Sequence, residues 1–312
     1  MEALRASLMR DDVSELYHRY RAHARPRRSG KMIFHGVDGY DVYNPTAPFR
    51  HAGAWCMAAR VEKRNSEYSE VRFFAWDGGN HATLLADLPT FALQDPFICM
   101  LTGQLLFGGV EVEYSADDVP LRWRTLFFIG DSLETLRPLA TGPWGMKDIR
   151  PVSLPDGRIL LFTRPQGEWG GRGTIGWTML SSLDELNAQT ISRATLISHL
   201  DEQYWCGVNT AYVRAEGEVH VLAHVARFDE RGDRHYYAAR FIFDYLRGRS
   251  SAMEIIACRD DFLPGECKRE DLRDVVFPAG VWADGKGDTR LFCGTSDCEV
   301  QWLDMTALFG AQ

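Results

Sequence analysis

Several common devices are missing from this sequence. No stretch approaches the ~20 consecutive apolar residues that span a bilayer, and the first residues carry Arg5, Arg10, Asp11 and Asp12 with no apolar core of a secretory signal. The seven cysteines, an odd number, include no C-x-x-C pair. Cys293 and Cys298 lie five apart without further His or Cys ligands nearby, so the reading is reduced core thiols, no metal site and a cytoplasmic protein. Basic residues are in deficit: 35 Lys and Arg stand against 43 Asp and Glu, a formal charge of −8, which argues against a nucleic-acid surface. Helical periodicity is scarce as well. It appears in residues 2 to 22, where Leu4, Leu8, Val13, Leu16, Tyr17 and Tyr20 are spaced as one apolar face, and in a short Ser-capped turn at Ser182–Leu186.

What remains is strand. The basic stretch Ala22–Gly30, broken by Pro26 and Gly30, reads as a solvated linker that ends the helix. From Lys31 onward short apolar runs alternate with turn signals, and one unit recurs five times: an Asp or Asn start, an apolar strand, a turn Gly and a second apolar strand. The starts are Asn44, Asp95, Asp148, Asn209 and Asp274, separated by 51, 53, 61 and 65 residues, and the turn Gly follows 8 to 11 residues later. Repeats of this length fit four-stranded blades closed radially, which removes exposed sheet edges. The expected fold is therefore all-β, a five-bladed β-propeller over residues 31–312 preceded by a short N-terminal α-helix and basic linker over residues 1–30. The strand near Met32-Ile33-Phe34 is expected to complete the last blade.

Radial repetition makes equivalent positions converge. Seven residues past the turn Gly lie Arg60, Val110 with Glu111 beside it, Arg164 and His224, with Thr295–Asp297 as the nearest equivalents in the last repeat. Taken singly, each has a plain structural reading: Asp95-Pro96 as an Asx turn with Asp95 held extended by the proline, or Arg60, Glu62, Arg64 and Glu67 as the solvent face of one strand. Taken together, a set of Arg, Lys, His and carboxylates around one axis suits glycosidic-bond chemistry, in which an acid protonates the leaving oxygen and an anion or activated water attacks the anomeric carbon.

Leu93-Gln94-Asp95-Pro96-Phe97, Lys147-Asp148 with Arg164-Pro165, Val221-Leu222-Ala223-His224, and Asp274–Gly280 with Gly294-Thr295-Ser296-Asp297 give the chain a resemblance to the five-bladed propeller glycoside hydrolases. Among them it most resembles the β-mannoside phosphorylase family (glycoside hydrolase family 130) and a related domain-of-unknown-function family. The resemblance implies Asp95 as general acid, phosphate held by Lys147, Arg164 and His224, and sugar bound by Asp297, with Asp148 and Tyr236 in the pocket. Asn44, Arg60 and Asn209 join the substrate-binding set from the repeat, and Asp148 or Glu111 is the base if water attacks. The family pattern has Glu and Arg flanking the Asp-Pro pair where this chain has Gln94 and Phe97. An Arg position holds Lys147, and a Lys 19 residues before His224 is Trp205, an indole suited to stack on a sugar.

The expected activity is inverting cleavage of a small β-linked, mannose-type saccharide, with inorganic phosphate as candidate co-substrate and no other cofactor. A non-catalytic carbohydrate- or metabolite-binding propeller and a partner-binding scaffold are the alternatives. The oligomeric state is not legible.

Overall fold

In the computed structural model, residues 11–306 are described with the exception of Ser198. The N-terminal half of the expected helix, including Leu4 and Leu8, falls outside them. A helix spans Val13–His23, started by Asp12, whose Oδ1 accepts from the backbone N–H of Ser14 (2.7 Å) and Glu15 (3.1 Å). Its buried face, Val13 and Leu16, packs on the strands beyond residue 200, where Tyr17 stacks on Tyr237 with ring centroids 4.9 Å apart. At Ser182–Leu186 a 3₁₀ turn forms over Leu183–Glu185, but Ser182 gives no side-chain cap. Glu185 instead accepts from the N–H of Ser181.

Apart from a one-turn helix at Ala188–Ile191 and 3₁₀ turns at Leu133–Thr135, Arg259–Asp261 and Glu270–Leu272, the regular structure that remains is strand, in antiparallel runs that follow the repeat. In the first run Asp41–Tyr43 and Phe49–His51 both pair with Ala54–Glu62, which pairs with Ser69–Trp76 and then His81–Leu84. Gln94–Leu101, Gln104–Tyr114, Pro120–Gly130 and Arg137–Thr141 form the second. The third is Arg150–Ser153, Ile159–Thr163, Ile175–Leu180 and Thr195–Ile197. Trp205–Ala215, Glu218–Phe228, Arg234–Asp244 and Glu254–Ala257 make the fourth. The fifth is Asp274–Ala283, Thr289–Thr295 and Glu299–Asp304, joined to the fourth by two parallel pairs, His235 with Asp274 and Tyr236 with Val275.

An early strand does complete the fifth run, but it is Ser29–Lys31, antiparallel to Gln301–Leu303. Of the expected Met32-Ile33-Phe34 segment, Met32 still donates to the Val300 carbonyl of the last strand (2.9 Å), whereas Ile33–His35 runs parallel to His81–Thr83 in the first run. Nor is the basic stretch a solvated linker throughout. Arg27 pairs with Asp261 (3.5 Å) and donates to the carbonyl of Ile256 (2.9 Å), while Gly30 is already strand. The Asp261 carboxylate and the Ile256 carbonyl give this Arg partners in place of water.

There is no single core. One cluster joins Ala58 and Phe73 of the first run to Phe107 of the second, and another joins Phe97 and Phe127 of the second to Leu161 of the third. Phe162 of the third meets Val208 and Phe243 of the fourth; Leu222 of the fourth meets Val276 and Leu291 of the fifth. The last cluster brings Phe292 and Trp302 of the fifth back against Met57 and Phe74 of the first. Each run thus buries both faces, one on each neighbour, which is why central strands such as Ile159–Thr163 are buried along their whole length. Among the described residues all seven cysteines are free thiols, and no helix is long and apolar enough to cross a membrane.

The contact that ties Ser29–Lys31 to the last strand is close: a Cβ on Gly30 would lie 2.6 Å from the Trp302 ring. Gly30→Ala is expected to lower stability by about 1–3 kcal/mol through overpacking, read as an earlier midpoint in chemical denaturation. An unchanged midpoint would show that this pairing is dispensable.

Candidate active site

Three of the five repeat starts leave the strand conformation. Asn44, Asp95 and Asp148 have φ of +43°, +48° and +56°, and Asp297 has +50°, the left-handed region that Asn and Asp tolerate better than other side-chain-bearing residues. At Asp95 the ladder slips: Gln94 pairs with Val110 and Phe97 with Gly108, leaving Asp95-Pro96 outside the register. Pro96 has no N–H to lose there. Asp95 is therefore not the extended pre-proline residue expected from sequence. Its carboxylate is turned out of the sheet and held by Asn44, whose Nδ2 donates to Oδ1 at 2.9 Å. Asn44 itself fits only because residue 294 is Gly, since a Cβ there would sit 1.9 Å from Asn44 Oδ1.

Asn44, Arg60, Asp95, Lys147, Arg164 and His224 line one cavity of about 200 Å³, and Tyr236 and Asp297 complete its predicted wall. Around Asp95 stand the Arg60 guanidinium (3.5 Å) and Lys147 Nζ (3.9 Å). Trp205 lines an adjoining outer cavity of about 490 Å³ that shares Gln94, Lys147 and Tyr236 with the first, and its indole N–H donates to the Tyr236 hydroxyl (2.9 Å). Asp148 and Asn209 sit behind the wall. Asp148 is completely buried, 3.3 Å from Arg164, 3.8 Å from His224 Nε2 and 4.0 Å from Arg150; Asn209 accepts from His224 Nδ1 at 2.9 Å. Asp148 is thus a counter-ion to the cavity's cations rather than a base facing it. Glu111 is misplaced by the sequence reading. It pairs with Arg124 (2.6 Å), while its strand neighbours Val110 and Val112 face the outer cavity, so alternation along the strand carries Glu111 to the other side.

The sequence reading also missed residues. Lys268, Arg269 and Arg234 add cations to the cavity, and Glu67 adds a carboxylate 3.1 Å from Lys268 and 3.2 Å from Arg269. Beneath them is Glu62, read as a solvent-face charge but buried. It accepts from Tyr43 OH (2.6 Å), Arg60 Nη2 (2.8 Å) and Lys268. Lys268 and Arg269 lie in the connection between the fourth and fifth runs, outside the repeat, where only the local Lys-Arg pair could have flagged them.

The charges divide the carboxylates. Burial raises the Asp95 pKa, but Arg60, Lys147 and the Asn44 hydrogen bond outweigh it and hold the group below the usual range. Asp148, buried too, is brought down to about 2 by Arg164 and Lys147. Burial lifts Asp297 to about 6, with the Asp95 charge acting in the same sense against the pull of Arg60. Burial likewise lowers His224 to about 3, opposed by Asp148 and reinforced by Arg164 and Lys147, so its imidazole is neutral. A pocket with this cation excess and a paired low-pKa and high-pKa carboxyl can hold a small anion.

The chain belongs to the family described as a protein of unknown function (DUF1861), whose model matches residues 19–311. Among solved structures it is similar to a mannose phosphorylase from Leishmania mexicana in complex with phosphate ion, at 32% identity over 94% of this chain and 92% of that one, with a TM-score of 0.87. A GDP-Man-dependent mannosyltransferase from the same organism is 27% identical over 94% of both chains, TM-score 0.86. The β-1,2-mannobiose phosphorylase of Listeria innocua shares the fold at 14% identity, 86% and 91% coverage and a TM-score of 0.62. No match is found among curated proteins.

Asp297 gives the anion site a pH signature. Above about pH 6 it ionises and adds a negative charge to the cavity; below, it is neutral. Sulfate, whose own charge is constant in this range, is expected to bind more tightly as pH falls from 8 to 5.5, and Asp297→Asn to bind tightly at both ends. Calorimetric titration reads this directly, and a pH-independent affinity in the parent protein would contradict it.

Proposed function

We propose that this protein is an inverting glycoside phosphorylase acting on a β-linked, mannose-type saccharide, built as a single five-bladed propeller from about residue 29, with the helix and basic stretch before it as an extension. The cyclic order of the five inter-run cores supports the propeller. Carrying the activity is one observation: Asp95 stands at the edge of the same small cavity as Lys147, Arg164 and His224. The phosphate-bound mannose phosphorylase, 32% identical over most of the chain, supports the same substrate class.

In this reading phosphate binds against Lys147 and Arg164, with His224 taking up a proton on Nε2 beside the anion, and attacks the anomeric carbon from the face opposite the leaving oxygen. The C1–O glycosidic bond breaks, Asp95 gives its proton to the departing oxygen, and a sugar 1-phosphate of inverted configuration leaves with the shortened saccharide. Asn44, Arg60, Tyr236 and Asp297 hold the reacting sugar, and Trp205 offers its indole to the next one. Phosphate also prepares the acid. Its negative charge offsets Lys147, one of the two cations that depress Asp95, so the carboxyl regains a proton when the nucleophile is in place. Water as nucleophile is disfavoured: Asp148 is walled off, Glu111 faces away, and Glu67 is committed to Lys268 and Arg269. Neither metal nor organic cofactor is called for, and free thiols accord with a cytoplasmic setting.

Incubation with β-mannosides and phosphate is expected to release mannose 1-phosphate. Asp95→Asn should lower kcat by roughly 10²–10⁴-fold, while Asp297→Asn acts mainly on KM. Sugar phosphate release undiminished in Asp95→Asn would remove the proposed acid, and saturable binding without turnover across a glycoside panel would replace the enzyme with a binding protein.

A further inference from the structure

Val275 lines the charged cavity around Asp95, and Ala283, at the other end of the same strand, lies roughly 25 Å away at the rise of an extended chain. At that far end most seams between runs are filled by bulky side chains. Trp55 and Trp282 meet edge to face between the fifth and first runs, and Leu105 and Leu136 pack between the first and second. Leu101 and Leu180 fill the seam between the second and third, and Phe243 and Tyr245 that between the third and fourth. The seam between the fourth and fifth is open there. Nearer the charged cavity Val276 and Cys293 pack against Leu222 and Ala238, but beyond them the fifth run presents only Val281, Ala283 and Thr289. A cleft of about 520 Å³ separates these from Tyr212 and Ile242 of the fourth run, and it shares no lining residue with the charged cavity. The volume is that of a small-ligand site, for which about 300–1,000 Å³ is usual.

Most polar groups of the cleft are engaged within the protein. Arg240 pairs with Glu254 (2.9 Å), His220 with Glu218 (2.6 Å), the Tyr212 hydroxyl accepts from the Val281 N–H (2.9 Å), and Ser251 Oγ donates to the Ala252 carbonyl (3.0 Å). Arg214 is the exception. It is exposed at the rim, and among the described residues it makes no hydrogen bond or ion pair. Leu222, Ile242, Val281 and Ala283 supply aliphatic walls, and Ile242, facing the gap, is left 41% exposed. The space is thus bordered by hydrocarbon with one uncompensated positive charge at its edge. A ligand that fits has an aliphatic body, whose methylenes leave water for these walls, and one carboxylate, whose two oxygens match the planar fork of a guanidinium.

We propose that this cleft is a second binding site, separate from the charged cavity, for an aliphatic monocarboxylate of medium chain length. The site is independent of the phosphorylase reading and stands or falls without it. Octanoate is the probe, titrated calorimetrically into the full chain with and without an excess of sulfate to occupy the charged cavity. Saturable binding is expected in both cases, with octan-1-ol binding about tenfold more weakly. Arg214→Gln should remove the preference for the acid and leave octan-1-ol unchanged; the side chain is exposed and unpartnered, so the fold does not depend on it. Ala283→Trp, which fills the cleft from an exposed position, should abolish binding of both probes with the circular dichroism spectrum unchanged. Displacement of octanoate by sulfate would assign the probe to the charged cavity and overturn the proposal. Absence of saturable binding, equal affinity for acid and alcohol, a preference that survives Arg214→Gln, or binding undiminished in Ala283→Trp would each overturn it as well.

Discussion

Cations cannot be gathered around a small interior cavity unless anions are buried behind them, because an unpaired charge out of water costs several kcal/mol. That constraint organises this molecule. Asp148 stands behind Arg164 and Arg150, and Glu62 behind Arg60 and Lys268. The two carboxylates come from different runs and serve different sides of the cavity. Each lets cations face the ligand space without collapsing onto Asp95, the one carboxylate that must stay available for chemistry.

The same constraint explains the backbone. Several of the site's polar side chains sit where the chain breaks its alternation, and the left-handed residues at Asn44, Asp95, Asp148 and Asp297 do that where Asn and Asp are the side chains most tolerant of it. The cores between successive runs then hold those breaks fixed. Phe97, next to the slipped register, is buried, and the Arg150 guanidinium lies over its ring at 4.6 Å, so the segment that displays Asp95 is packed against the residue that helps neutralise Asp148.

Much of this was legible in the sequence, for a physical reason. Repeat units that stack around an axis bring equal positions together, so counting from the turn Gly found Arg60, Arg164 and His224, and the repeat starts found Asn44 and Asp95. Counting failed where the repeat does not govern. Lys268 and Arg269 come from a connection and have no equivalents. Glu111 was chosen by adjacency to Val110, although adjacent strand residues face opposite ways. Glu62 looked like a surface charge because a charged residue gives no sign in sequence that its partners, here Tyr43 and Lys268, will bury it. Ser29–Lys31 was overlooked for Met32–Phe34 because hydrophobicity marked the latter, while the strand that actually completes the fifth run is small and polar and is recruited by backbone pairing, the Lys31–Glu299 ion pair and the close fit of Gly30 on Trp302.

That completing strand bears on how the molecule is made. Ser29–Lys31 meets partners at Gln301–Leu303, so the fifth run stays one strand short until nearly the whole chain has left the ribosome. Earlier runs can assemble on one another as they emerge; the first and fifth can bury their shared core only at the end. Pairing across so long a sequence separation makes this step slow and leaves two sheet edges waiting. Aggregation of nascent or truncated chains is therefore to be traced to the seam between the first and last runs rather than to the charged cavity.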